Sequence, residues 1–138
     1  GPEMPMLVGL TIQLGLSHRV KFLGNVTRAG VIDLMRNSHV LALPSLYEGL
    51  SHTLLESLSQ GLPCIAADRG GNRELLTGNE GGILLPALSP AELATALEHL
   101  RDDEVKRFAM ARAAQEEARR FSLASTVHGV VGLVLGQP

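Results

Sequence analysis

Two carboxylates eight residues apart, Glu48 and Glu56, lie in the run Pro44-Ser45-Leu46-Tyr47-Glu48-Gly49-Leu50-Ser51-His52-Thr53-Leu54-Leu55-Glu56. The apolar stretch 40–43 leads into them and a helical pattern follows from about Ser51, so they bracket a strand-to-helix turn. Parallel sheets bind ligands at such turns, in the crevice beyond the carboxyl ends of their strands. Carboxylates accept hydrogen bonds from sugar hydroxyls, and the free amides of a helix start favour anionic oxygens. The constellation therefore suits a molecule that is half sugar and half diphosphate.

The spacing alone is not specific, because the chain holds ten Glu and a separation of eight arises readily by chance. Without context, Glu48 reads as a solvated turn residue, Glu56 as an exposed helix position and Ser51 as a simple helix cap. The surrounding order of residues supplies the context. Pro44-Ser45, Glu48-Gly49, Leu55-Glu56, Gly61-Leu62-Pro63, Ile65-Ala66, Gly70-Gly71-Asn72-Arg73-Glu74 and Gly81-Gly82-Ile83-Leu84-Leu85-Pro86 follow one another. In that order they resemble the carboxyl-terminal donor-binding domain of retaining GT-B glycosyltransferases, the glycosyl transferases group 1, whose hallmark is a Glu, seven residues and a second Glu. The resemblance covers nearly the whole chain and is sharpest between Pro44 and Pro86.

The resemblance implies that Glu48 lies under the donor sugar, binds its hydroxyls and is the candidate for stabilising charge at the anomeric carbon. It implies that Glu56 binds the ribose hydroxyls and that the diphosphate rests at the turn and helix start formed by Gly49, Leu50, Ser51, His52 and Thr53. Gly49 lets backbone approach a ligand closely and can adopt a positive φ, and the amides of His52 and Thr53 point out of the helix end. The family often carries Phe-Gly where this chain has Leu50-Ser51, and a small or apolar residue in place of His52. No side-chain role is therefore carried over to Ser51, His52 or Thr53.

Strand-like runs at 20–23, 40–43, Cys64–Ala67 and 83–85 alternate with helix-like stretches at 28–37, 52–60 and 73–77. This is the pattern of a Rossmann-like parallel sheet flanked by helices, and the near-continuous apolarity of its strands predicts helical cover on both faces. After Pro86, Ser89-Pro90-Ala91-Glu92 reads as an N-cap, a first-turn proline and a capping-box Glu, opening a helix over 90–101 with Leu93, Leu97 and Leu100 on one face. Residues 104–121 form a second helix by composition, and Val127, Val130, Val131 and Val134 give a last apolar stripe. Residues 4–16 read as an amphipathic helix.

Length assigns all 138 residues to one domain, a nucleotide-sugar donor-binding domain, and 45% hydrophobic content suffices for a core. Gly1-Pro2-Glu3 resembles a step that closes the family's second strand. On that reading the first strands and the amino-terminal acceptor domain are absent, with the Arg and Lys that neutralise the diphosphate. In the order 3-2-1-4-5-6, run 20–23 then lacks the neighbour that joins it to 40–43. Unpaired edges of this kind predict self-association.

Twelve Lys and Arg against fourteen Asp and Glu, with four aromatic residues, disfavour nucleic-acid binding. A single Cys64 in an apolar run allows no internal disulfide and points to a reducing compartment, the cytoplasm. Residues 4–16 lack the basic start of a secretory signal, and no apolar stretch reaches the ~20 residues of a membrane-spanning helix. Peripheral membrane contact through a partner domain stays open. The five histidines include no pair at helical metal-ligand spacing and there is no Asp-x-Asp, so no metal is expected.

The sequence thus reads as the donor-binding part of a metal-independent retaining glycosyltransferase, inactive by itself. It would take a nucleoside-diphosphate sugar as substrate, use no cofactor and act on an unidentified glycan or lipid acceptor. The alternative is a Rossmann-like interaction module that catalyses nothing. A receiver-type signalling domain lacks the acidic cluster and Lys its strands would need.

Overall fold

The computed structural model describes residues 1–45, 49, 51–76, 80–87 and 89–121. Glu48, Leu50 and the stripe at Val127, Val130, Val131 and Val134 lie outside the described residues, as does Thr77 of the helix expected at 73–77. The chain forms two compact units, Gly1–Val31 and Ile32–Pro138.

In the first unit, α1 spans Met4–Gln13 and ends on Gly15, whose φ of 68° is left-handed. The amide of Gly15 donates to the Ile12 carbonyl at 3.0 Å and that of Leu16 to the Thr11 carbonyl at 2.9 Å, the paired bonds of a Schellman ending. The helix forms as expected, but it is not amphipathic. Met6, Leu7, Val8, Leu10 and Ile12 point in all directions and α1 buries no residue. Run 20–23 is no strand either: Val20, Phe22 and Leu23 are exposed and no backbone ladder forms there. A strand exists through hydrogen bonds to a neighbour, and among the described residues none pairs with this one. Thr27 then caps α2, Arg28–Arg36, accepting from the Gly30 amide at 3.2 Å.

The second unit is built on three parallel strands, β1 (Leu41–Leu43), β2 (Cys64–Ala67) and β3 (Gly82–Leu85), in the order β1-β2-β3. Leu43 stands opposite Ala66, and Ala66 opposite Leu84, so the carboxyl ends of the strands share one edge. α3 (His52–Ser59) connects β1 to β2, and α4 (Asn72–Leu75) connects β2 to β3. Because the sheet grows in one direction, both crossovers pack on one face. Leu54, Leu58, Leu75 and Leu76 cluster there with Cys64 and Ala66, joined by Ala114.

The opposite face needs other cover, which α5 (Pro90–Asp102) and α6 (Glu104–Arg119) supply. Ala96, Leu100 and Met110 pack there against Ile65 and Leu85. All four residues of β2 are consequently buried, as its composition predicts, whereas Ala42 of β1 stays exposed. Leu97, expected on the buried stripe of α5, is also exposed. Ala96 takes that place, because the face turned to the sheet is centred between Leu93, Ala96 and Leu100. Ser89 accepts from the Glu92 amide at 3.1 Å, which completes half of the expected capping box. Glu92 Oε2 is buried with no partner among the described residues.

Candidate donor site at the amino end of α3

The site residues are placed by how α3 begins. Ser51 has extended backbone (φ −74°, ψ 105°) and its hydroxyl accepts from the Leu54 amide at 3.3 Å, so the side chain is committed to capping and is nearly fully buried. The amides of His52 and Thr53, earlier in the same turn, donate to no group among the described residues. No acidic residue occupies the first turn of α3, so the positive end of the helix dipole is not neutralised from within. His52 and Thr53 have exposed side chains.

Gly49 is exposed and a Cβ built on it would meet nothing within 4 Å. Its backbone stands open. Glu56, one turn into the helix, is half-buried and lines a cleft of about 450 Å³ between α3 and the end of α6, with Ser59, Gln115, Arg119 and Phe121. Gly61 at the far end of α3 lies against Gln115, and Gly81 before β3 lies against Ala114 and Glu117, so the last turns of α6 pack beside the second half of α3. His52 and Glu56, four residues apart, share a helix face. Gly49, Ser51, His52, Thr53 and Glu56 are thus gathered at one edge.

Gly61 has a φ of 71° and starts the return to β2: its amide reaches the Leu58 carbonyl at 2.9 Å and that of Leu62 the Ser57 carbonyl at 3.0 Å. This glycine is structural, as the pattern Gly61-Leu62-Pro63 predicts. Beside the site, the turn after β2 contains a feature that the sequence reading left unassigned. Arg73 Nη2 donates to Asp68 Oδ2 at 2.9 Å, and Arg73 Nε donates to Asp68 Oδ1. The hydrogen bond from Arg73, reinforced by its charge and that of Arg69, holds the Asp68 carboxyl below its usual range and lifts Arg73 above its own. Opposite charges five residues apart around Gly70-Gly71 were the available signal.

A separate hollow of about 410 Å³, lined by His39, Val40, Leu97 and Arg101, opens at the amino end of β1. It lies away from the carboxyl edge, where parallel sheets place ligands. No cluster of three His, Cys, Asp or Glu able to hold a metal occurs among the described residues. No described helix is long and apolar enough to cross a membrane.

Residues 1–120 match the family model of glycosyl transferases group 1. The chain belongs to that family. It is 34% identical over 117 residues to the D-inositol 3-phosphate glycosyltransferase of Corynebacterium kroppenstedtii, a match covering 85% of this chain and 26% of the relative. With the alpha-D-kanosaminyltransferase of Streptomyces kanamyceticus it shares 31% identity over 134 residues, 96% of this chain and 35% of the other. The solved structure of Anabaena HepE in complex with UDP-glucose superposes with a TM-score of 0.83 at 29% identity, covering 96% of this chain and 36% of HepE. This glycosyl transferases group 1 chain therefore spans about a quarter to a third of the relatives it matches.

Proposed function

We propose that the chain forms the donor-binding part of a glycosyltransferase that moves a sugar from a nucleoside diphosphate to an acceptor hydroxyl. The observation that carries this reading is the pair of amides, His52 and Thr53, that donate to no group among the described residues at the start of α3, on the carboxyl edge of the sheet and one turn from Glu56. Family membership and the likeness to a UDP-glucose complex support it. In this reading the helix-start amides hold the diphosphate, Glu56 binds the ribose hydroxyls, and Glu48 binds the sugar and steadies charge at the anomeric carbon. Gly49 and Leu50 contribute backbone, and Ser51 keeps the helix start rigid.

The reaction proposed is departure of the diphosphate with front-face attack by the acceptor hydroxyl, which retains the anomeric configuration, with the diphosphate held by amides and cations and no metal. Saturation-transfer NMR of the complete natural chain with a panel of nucleotide sugars tests donor binding. D-inositol 3-phosphate belongs in the acceptor panel because one relative is named for it. Glu56→Ala is expected to weaken donor binding by about 1–3 kcal/mol, the loss of charged hydrogen bonds. Donor affinity unchanged in that variant, or turnover lost to EDTA and restored by Mn²⁺, would remove the corresponding part of the proposal.

A further inference from the structure

The turn that follows β2 leaves the sheet at the same edge as the chain leaving β1, because Ala66 and Leu43 are partners near the carboxyl ends of neighbouring parallel strands. Its backbone is closely specified. The Asp68 amide still donates to the Leu85 carbonyl of the next strand at 2.9 Å, and the Arg69 amide folds back onto the Ala67 carbonyl at 2.8 Å. Gly70 takes a left-handed φ of 48°, and Gly71 then starts α4. Inside the turn, buried Asn72 donates from Nδ2 to the Ala67 carbonyl at 3.0 Å. Outside it, Arg73 engages both carboxylate oxygens of Asp68.

The outer pair is poorly placed to stabilise the fold. Arg73 is 66% exposed and Asp68 23%, and solvent screens pairs of that kind. What two parallel N–H···O bonds do supply is geometric restraint, fixing both separation and orientation across the loop. The restrained segment is Gly70-Gly71, two residues without side chains at the carboxyl edge, where backbone can approach a ligand closely.

We propose that Asp68 and Arg73 are positioning residues for the nucleotide-sugar donor: their bidentate pair holds the Gly70-Gly71 backbone in place as the wall of the crevice facing the amino end of α3. The proposal rests on the donor-site reading above. Neither side chain touches the reacting atoms. Each acts through the loop it closes.

The test uses the complete natural chain with UDP-glucose as the probe, followed by calorimetry and by steady-state kinetics on whichever donor of the nucleotide-sugar panel is turned over. Asp68→Asn and Arg73→Gln should each weaken donor binding by about three- to thirtyfold, with acceptor KM unchanged. The double variant should be no worse than either single one, and the exchange Asp68→Arg with Arg73→Asp should recover most of the loss. A merely structural pair would move the melting midpoint without this donor-specific, rescuable pattern. Wild-type donor affinity in both variants, or a loss that the exchange does not restore, overturns the clamp while Glu56→Ala still impairs binding. If Glu56→Ala is also silent, the donor-site reading itself falls and takes the clamp with it.

Discussion

Residues 20–23 and β2 are both four-residue runs with apolar character, and the molecule treats them oppositely. In β2, Cys64 and Ala66 pack with α3, α4 and Ala114 of α6 while Ile65 packs under α5 and Met110 of α6, and every residue is buried. In the other run Leu23 is 54% exposed and the backbone pairs with nothing among the described residues. Composition is similar enough that a pattern reading assigns a strand to each. The difference lies in neighbours: β2 has a strand on either side and helices above and below, so its conformation is imposed by tertiary contact and not by local preference.

The largest test of that contrast is truncation. Ile65→Ala removes a side chain that is 1% exposed and should cost about 2–5 kcal/mol in denaturant unfolding, transfer and cavity terms together. A loss below 1 kcal/mol would mean that β2 is far looser than its burial indicates.

Alkaline pH sharpens the same point. Burial pushes the Cys64 thiol up to about 12, and the Ser57 hydroxyl 3.2 Å away offsets only part of that. The folded value lies above the ordinary 9.0, so the stabilisation is complete below pH 9 and is lost as pH rises towards 12. Stability should fall there by about 1.4 kcal/mol per pH unit from this group, and Cys64→Ala should flatten that slope. Iodoacetamide at pH 8 should leave the folded chain unlabelled; rapid labelling would show that the strand is accessible.

The smallest effect belongs to the other run. Leu23→Ala removes an already exposed side chain and should change stability by no more than about 0.5 kcal/mol. A loss comparable to that of Ile65→Ala would break the contrast, revealing that residues 20–23 are held by contacts as strong as those of β2.

The sequence made the second unit legible because its signals are local. Apolar runs bounded by Gly and Pro located β1, β2 and β3 to within one residue, and Ser89-Pro90 marked the start of α5. Gly61 with Pro63 likewise announced the end of α3. What failed depends on neighbours far along the chain: whether run 20–23 is paired, whether Ala96 or Leu97 meets the sheet, and whether α1 has a face to bury. In the candidate site, the capping role of Ser51 was readable from residue type. The Asp68–Arg73 pair was not, because five residues is no regular spacing and the two side chains meet only through the turn at Gly70. Glu48 and Leu50 lie outside the described residues, so for them the sequence remains the source.

The unequal sides of β1 carry a further meaning. The Leu41 amide donates to the Pro63 carbonyl of the segment entering β2, at 2.9 Å, and in a parallel strand successive amides alternate between the two sides, which turns Ala42 towards the side without a described partner. In deuterated water, therefore, one short strand should divide into two exchange classes. The Ala42 amide would trade its proton through local fluctuations, while the Leu41 and Leu43 amides, turned towards β2, would wait for the sheet to open.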